Sequence, residues 1–480
     1  NFMLTRGAGP EAAAKIEAEG IPTVTLTRED FIGVVRNAVS GLGFDQDASM
    51  VTFPVDLFLV ESDLTLLENR VDEFSEGLTA WQPAAKETGL RNAPMLSISG
   101  ENYEDAQRQT NNLFLTNLWG DGLPVVPPDT SRVDWILEGT DLPRHEKLGK
   151  LLPRGGIVTV ETVAVSLAMA GGRPEYLPVL LSVIDAVMEP EFIHSSWQAT
   201  SGSTFPVVVV NGPIANEIRL NSGFGLLGPD PQRPAGASIG RALRLLLQNV
   251  GGALPGVGTM AIFGPMRYTN AVFAEDEEGL PEGWLAFATE RHGFEPGTNA
   301  VSVFIATGAA NIMRRGTGKE TLEQEANEGL EKLVDYLQVP HIHYLRGYEE
   351  GTPGAIMMSR IVAKQLAGLG WTKEKIRNHL WKNSAISKES VERTGLKQWI
   401  EADTTPDTRD SVKLDPWPVT RKPENLILLV AGGQHPTHNF WFQGNSRRVV
   451  GRKIETPTAW SELLQQADRD LGCASDVCLI

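Results

Sequence analysis

Ile21-Pro-Thr-Val-Thr-Leu26 and Met50-Val-Thr-Phe-Pro54 are two short runs rich in β-branched residues, separated by Thr27 to Gly41. β-Branched and aromatic side chains fit a pleated surface, so both runs read as strands. Pro22, second in the first run, suits its beginning or a sheet edge. Thr27-Arg-Glu-Asp30 has the form of a capping box, in which Thr27 accepts from a first-turn amide and Asp30 reaches back. A helix then runs to Gly41. Strand, helix and strand in that order imply parallel pairing through a right-handed crossover.

Toward the start of the chain, Phe2–Thr5 reads as a further strand and Gly9–Glu19 as a helix stopped by Gly20. Asn1-Phe2-Met3-Leu4 looks like the middle of a strand, so residues are expected upstream of it. In the other direction, residues 83–108 are polar and without clear period, a linker with one short helix. Beyond it the alternation resumes. Helices are expected at Val158–Ala170, Glu175–Met188, Ala237–Val250, Glu320–Leu337, Arg360–Leu369 and Thr372–Trp381, the last capped by Thr372. Strands are expected at Phe205–Val210, Ala300–Ala306, Ala355–Met358 and Leu426–Ala431. The fold class is α/β: parallel or mixed sheets with flanking helices, in a small part over residues 1–82 and a larger domain over residues 109–480.

The 480 residues are 41% apolar and 21% charged, which are globular values. Leu426–Ala431 is the longest apolar run, far short of the roughly 20 residues a membrane span needs. No basic region followed by an apolar signal core stands at the start. A net charge of −17 argues against a nucleic-acid partner, which requires a basic surface. Cys473 and Cys478 are the only cysteines, too few and too terminal for a disulfide framework. The expectation is a cytoplasmic homo-oligomer with a small-molecule substrate and no membrane partner.

In open α/β sheets ligands bind beyond the carboxyl ends of the strands. Asn211-Gly-Pro213 and Gly432-Gly-Gln-His-Pro-Thr-His438 both follow strands, where glycine allows close backbone approach or merely makes a turn. The loop from Gly225 to Arg241 enters a helix. Ser238 can cap that helix, and Arg233 and Arg241 supply charge for an anion at its start. No Gly-Lys-Ser/Thr follows, so it is not a Walker loop. His341-Ile-His343 and His435-Pro-Thr-His438 are close pairs that hold a divalent metal if they meet, and line a surface if they do not. Asp121 and Glu161 are candidate acids or bases, with Arg173, Tyr268 and Glu275 as further cleft residues; Pro174 and Glu175 equally suit a plain helix start. Asn211, Arg233, Arg241, His435 and His438 are expected to converge in one pocket.

Several longer motifs occur in order: Asp121-Gly-Leu-Pro-Val-Val-Pro-Pro, Thr159-Val-Glu-Thr-Val-Ala-Val, Ala168-Met-Ala-Gly-Gly-Arg-Pro-Glu-Tyr-Leu-Pro, Val210-Asn-Gly-Pro, Ile239-Gly-Arg-Ala and Asn249-Val-Gly-Gly-Ala-Leu-Pro-Gly. Together they resemble the UGSC-like family over most of residues 6–450. The amino-terminal part also resembles a portion of the selenoprotein B component of glycine and betaine reductases. The resemblance implies an α/β fold and a site between two parts. In those relatives a Sec or Cys pair precedes the first helix, where this chain has Thr5-Arg-Gly-Ala-Gly-Pro10; the family's Met-Ala-Gly-Cys position corresponds to Gly172. Glycine and hydroxyl side chains cannot replace a thiolate as nucleophile and electron donor.

Three functions follow. The preferred one is a non-redox enzyme of lyase, hydratase or hydrolase type, acting on a small polar or anionic molecule in an inter-domain cleft. The second is a thiol-dependent reductase that uses Cys473 and Cys478. The third is a non-catalytic ligand-binding or partner subunit.

Overall fold

The computed structural model describes residues 13, 16–17, 19–41, 49–59, 62–80, 95–264, 271–316 and 318–472. The expected strand Phe2–Thr5, most of the helix Gly9–Glu19, Tyr268, Cys473 and Cys478 lie outside the described residues. The fold is α/β, with mixed parallel and antiparallel strands and flanking helices. Two compact units are each discontinuous in sequence: residues 1–177, 188–204 and 241–269 form one, and residues 178–187, 205–240 and 270–480 the other. The sequence-based division into 1–82 and 109–480 followed contiguous composition, which cannot register a chain that leaves a unit and returns.

In the first unit, β1 (Thr25–Arg28) and β2 (Met50–Phe53) pair in parallel with Thr25 opposite Met50, and the helix Ile32–Gly41 connects them. The expected capping box at Thr27 does not form. Thr27 is the third residue of β1 and is fully buried, and its hydroxyl has no hydrogen-bond partner among the described residues. Asp30 instead accepts from Arg28 Nε at 2.9 Å. β3 (Lys147–Leu151) and β4 (Gly156–Thr159) form an antiparallel hairpin. Val158, expected in a helix, belongs to β4. The helix begins at Val160, where Thr159 and Thr162 cap each other: Thr162 N donates to Thr159 Oγ1 at 3.2 Å and Thr159 N to Thr162 Oγ1 at 2.9 Å.

His194 in the same unit is only 7% exposed, and its Nε2 accepts from Leu152 N at 3.0 Å. Burial pushes its pKa down to about 4, against a smaller opposing effect of its bond to the Lys150 backbone. The unfolded chain binds this proton near pH 6.5, so the neutral ring's contribution is fully present above that value and is lost as the pH falls toward 4. The expected loss over that window is at most about 3 kcal/mol. Urea unfolding at several pH values should show this slope in the wild type and a shallower one in His194→Gln; equal slopes would contradict it.

The second unit holds a seven-stranded sheet in the order β6-β5-β7-β10-β8-β9, with β11 also paired to β7. These are β5 (Phe205–Asn211), β6 (Ala271–Ala274), β7 (Ala300–Met313), β8 (Thr352–Met358), β9 (Ile427–Val430), β10 (His438–Ser446) and β11 (Val450–Lys453). β5–β6 and β8–β9 are parallel; the other pairs are antiparallel. Alternate residues from all six strands of the main order meet in one cluster, including Phe205, Phe273, Phe304, Met357, Leu429 and Phe442. Asp276 N, just past β6, donates to Val430 O of β9 at 2.7 Å. The sheet therefore curls until its two edges share a core.

The opposite face, through Ile356, Leu428, Val430 and Trp441, packs on helices. The helix Leu322–Leu337 supplies Ala326, Leu330, Leu333 and Leu337 at helical spacing. Thr372 caps the helix Lys373–Asn383 by accepting from Lys375 N, as expected. Among the described residues no helix is long and apolar enough to cross a membrane.

Candidate functional site

β8 and β9 run parallel, so their carboxyl ends fall at one end of the sheet, with Met358 opposite Val430. β7 ends there too, and β10 enters there, with His438 opposite Met313. The chain leaving β9 turns through Ala431-Gly432-Gly433, and Gly432 has φ 104°. Gly432 N donates to Ser222 O at 2.8 Å, which brings the glycine-rich loop of residues 223–229 alongside. A Cβ on Gly433 would stand 2.3 Å from the Phe224 ring, so a larger residue there would have to displace that exposed side chain. Between the two loops lies a cavity of about 400 Å³, and every residue that lines it belongs to the second unit. Leu226, Leu227, Met357 and Phe440 give it apolar walls; Asn311, Ser359, His438 and Asn439 are its polar lining residues. None of its lining residues among those described is Lys, Arg, Asp or Glu.

The turn before β10 brings His435 and His438 together with Nδ1 atoms 3.1 Å apart. Thr437 Oγ1 lies 2.8 Å from each of them. A hydroxyl has one proton, so all three contacts are favourable only if one imidazole is protonated at Nδ1 and the other is not. Thr437 N donates toward His435 Nδ1 at 3.4 Å, which makes His435 the acceptor. His438 Nδ1–H then donates to Thr437 Oγ1, and Thr437 O–H donates to His435 Nδ1. This tautomer assignment follows from the hydrogen-bond network. It leaves an unprotonated Nε2 on His438, which lines the cavity, and a protonated Nε2 on His435, which is exposed. The turn is held from behind: Ser359 Oγ donates to His435 O at 2.7 Å, and Arg314 N donates to Thr437 O at 3.1 Å.

The other expected site residues occupy separate settings. Asp121 and Arg241 bind each other, at 2.8 Å to Nε and 3.0 Å to Nη2. Burial works to raise the Asp121 carboxyl, but the Arg241 guanidinium more than offsets it and holds it below its ordinary value. Glu161 is partly exposed and paired with Arg144 at 3.0 Å. Arg173 Nε donates to Glu175 at 2.6 Å, beside the helical turn that Pro174 opens. Arg233 is partly buried and does not line the cavity. Ser238 is not a cap, because the helix begins earlier, at Ala235, and Ser238 N already donates to Pro234 O. The loop before that helix thus contributes Gly225, Leu226, Leu227 and Gly228 to the cavity rather than a charged anion site.

Asn211 is buried and donates to Glu275 and Glu277, each at 2.9 Å. Glu275 is fully buried, accepts from Phe287 N at 2.6 Å and stands 3.8 Å from Lys373 Nζ. Burial pushes its carboxyl above the usual range, with Lys373 opposing. Lys373 also reaches Glu290 at 3.4 Å, and Arg377 grips Glu290 with two bonds of 2.7 Å. This network ties β5, β6 and the helix Lys373–Asn383 together.

The four-histidine metal site does not form. His341 Nδ1 pairs with Gln443, five residues along β10 from His438, which is roughly 16 Å at the rise of a strand. A metal needs its ligands within about 2.2 Å of one point. Among the described residues no group of three or more His, Cys, Asp or Glu is placed to hold a metal ion. His341 stacks on Tyr344 with ring centroids 3.8 Å apart, and burial pushes its pKa down to about 3.

Sequence reasoning found both glycine loops and the two histidines. It missed Asn311, Met357, Ser359 and Phe440, whose positions depend on strand pairing distant in sequence. No protein-family model, no curated protein and no solved structure matches this chain.

Proposed function

We propose that the chain is an acid–base enzyme of lyase or hydratase type, and that His438 is its proton-transferring group in the cavity beyond β8 and β9. The observation that carries this reading is the His435–Thr437–His438 cluster at the margin of a cavity whose described lining has no charged side chain. His438 Nε2 takes a proton from the substrate carbon, the C–H electron pair forms the new double bond as the C–O bond breaks, and the departing hydroxide takes up a solvent proton and leaves as water. The Nδ1 proton of His438 passes to Thr437, the Thr437 hydroxyl proton passes to His435 Nδ1, and His435 Nε2–H releases its proton to solvent. Asn311 supplies an amide to a substrate oxygen. The substrate class that suits these walls is a small neutral hydroxy- or oxo-compound with an apolar portion. The anionic substrate expected from Arg233 and Arg241 has no counter-charge here.

The resemblance to the UGSC-like family enters the same proposal, without its thiol chemistry. At Gly172, the position matching the family's cysteine, a Cβ would fall 2.3 Å from Leu167 Cδ1 and 3.0 Å from Leu167 O. The scarcity of cysteine favours a reducing, cytoplasmic setting.

The test is a panel of small neutral hydroxy- and oxo-compounds incubated with the full chain in D2O and followed by proton NMR. Solvent deuterium incorporation or water elimination supports the reading. Replacing Cys473 and Cys478 together with serine should leave that rate unchanged; a rate abolished in a folded variant would instead favour a reductase that uses the tail thiols.

A further inference from the structure

A second, smaller cavity of about 20 Å³ is lined by Arg314, Glu325, Thr437 and Asn439 among others, and shares Asn439 with the first. Arg314 is 5% exposed and Asn439 8% exposed. Arg314 Nη1 and Asn439 Oδ1 are buried, and neither has a hydrogen-bond partner among the described residues. Buried polar groups of native proteins are nearly always paired, with protein or with ordered water. Exchanging the amide oxygen and nitrogen of Asn439 does not help, since it replaces an orphan acceptor with an orphan donor.

We propose that this cavity is a built site for one ordered water molecule, which accepts from Arg314 Nη1–H and donates to Asn439 Oδ1. The volume fits, because a buried water needs about 10–15 Å³. The chemistry fits as well, because the one orphan is a donor and the other an acceptor. An anion is disfavoured by Glu325, which already pairs with Arg314 Nη2 at 3.0 Å. The position gives the water a structural task. Arg314 Nη2 also donates to Pro436 O at 3.3 Å, and Arg314 N to Thr437 O at 3.1 Å, so the water fixes the arginine that holds the histidine turn. The inference stands whether or not the histidines are catalytic.

A crystal structure of the wild-type chain at about 1.5 Å resolution tests it, because the site needs a single water about 3 Å from both atoms. Empty density, or direct pairing of either atom with a protein group, overturns the proposal. A second measurement uses Asn439→Leu. If the water is present, leucine expels it and orphans Arg314 Nη1, and the melting midpoint should drop by about 2–4 °C. If the site is dry, removing an unpaired carbonyl leaves the midpoint unchanged or raises it, and either result overturns the proposal. The wild-type density decides the matter if the variant does not fold.

Discussion

His438→Asn is expected to lower turnover of any compound the chain transforms by about 10²–10⁴-fold, the usual contribution of a positioned general base. That is about 3–5 kcal/mol of barrier. Asparagine keeps a donor near the Nδ1 position but has nothing at Nε2, so the turn is retained and the proton acceptor is lost. Thr437→Val separates the relay from the base: His438 remains, but its Nδ1 proton has no path to His435. A loss of roughly tenfold is expected, with the larger part in kcat. Stopped-assay rates for both variants, with circular dichroism and melting curves to establish folding, check the order of effects. Full activity in folded His438→Asn would remove the histidine from the chemistry.

Lys373→Met is expected to destabilise the fold by about 3–5 kcal/mol, because it leaves a fully buried carboxylate without its cation. Glu275 has no exposed side-chain surface, and the Nζ of Lys373, whose side chain is 4% exposed, is 3.8 Å from it. Lys373 Nζ also donates to Leu285 O at 2.7 Å, a bond the variant loses as well. Burial already holds the Glu275 pKa above its unfolded value. A raised carboxyl pKa means the folded state binds the proton more readily, so that contribution is complete at low pH and is lost as the pH rises through the folded pKa. The penalty of Lys373→Met should therefore shrink in acid. Pairing it with Glu275→Gln should recover part of the stability at neutral pH. Urea unfolding of the single and double variants at about pH 5 and about pH 7.5 measures both effects. A penalty that does not change with pH would show that Glu275 is not the group left unpaired.

The local part of this structure was legible in the sequence. The run at Met50 pairs in parallel with a strand that begins only at Thr25, near the end of the run at Ile21, and the apolar spacing of Leu322 to Leu337 forms a helix that buries Ala326, Leu330, Leu333 and Leu337 but leaves Leu322 exposed. Thr372 caps as read. What the sequence concealed was set by partners far away in the chain. His438 to Ser446 carried no assigned element in the sequence, yet it forms β10, the strand between β7 and β8. Phe442 packs into one core cluster and Trp441 into the other, so neither face of the strand is a solvent face and the pattern does not alternate. Thr27 looked like a cap because its hydroxyl can accept from an amide, but it lies buried inside β1, ahead of the helix, and its hydroxyl accepts from none. Asp121 and Arg241 each looked available for chemistry, and 120 residues apart in sequence they neutralise one another. The histidine pair at 435 and 438 was visible as a motif, whereas the cavity beside it arises from strand ends that only the fold brings together.

The most direct measurement is long-range proton–nitrogen NMR of the histidine side chains in the wild-type chain, with His435 and His438 assigned through their asparagine variants. The relay requires opposite neutral tautomers, with His438 protonated at Nδ1 and His435 at Nε2. The expected spectrum has an unprotonated Nε2 for His438 and a protonated Nε2 for His435. If both rings are protonated at Nε2, Thr437 cannot link them, His438 has no free base directed to the cavity, and the proposed chemistry is contradicted.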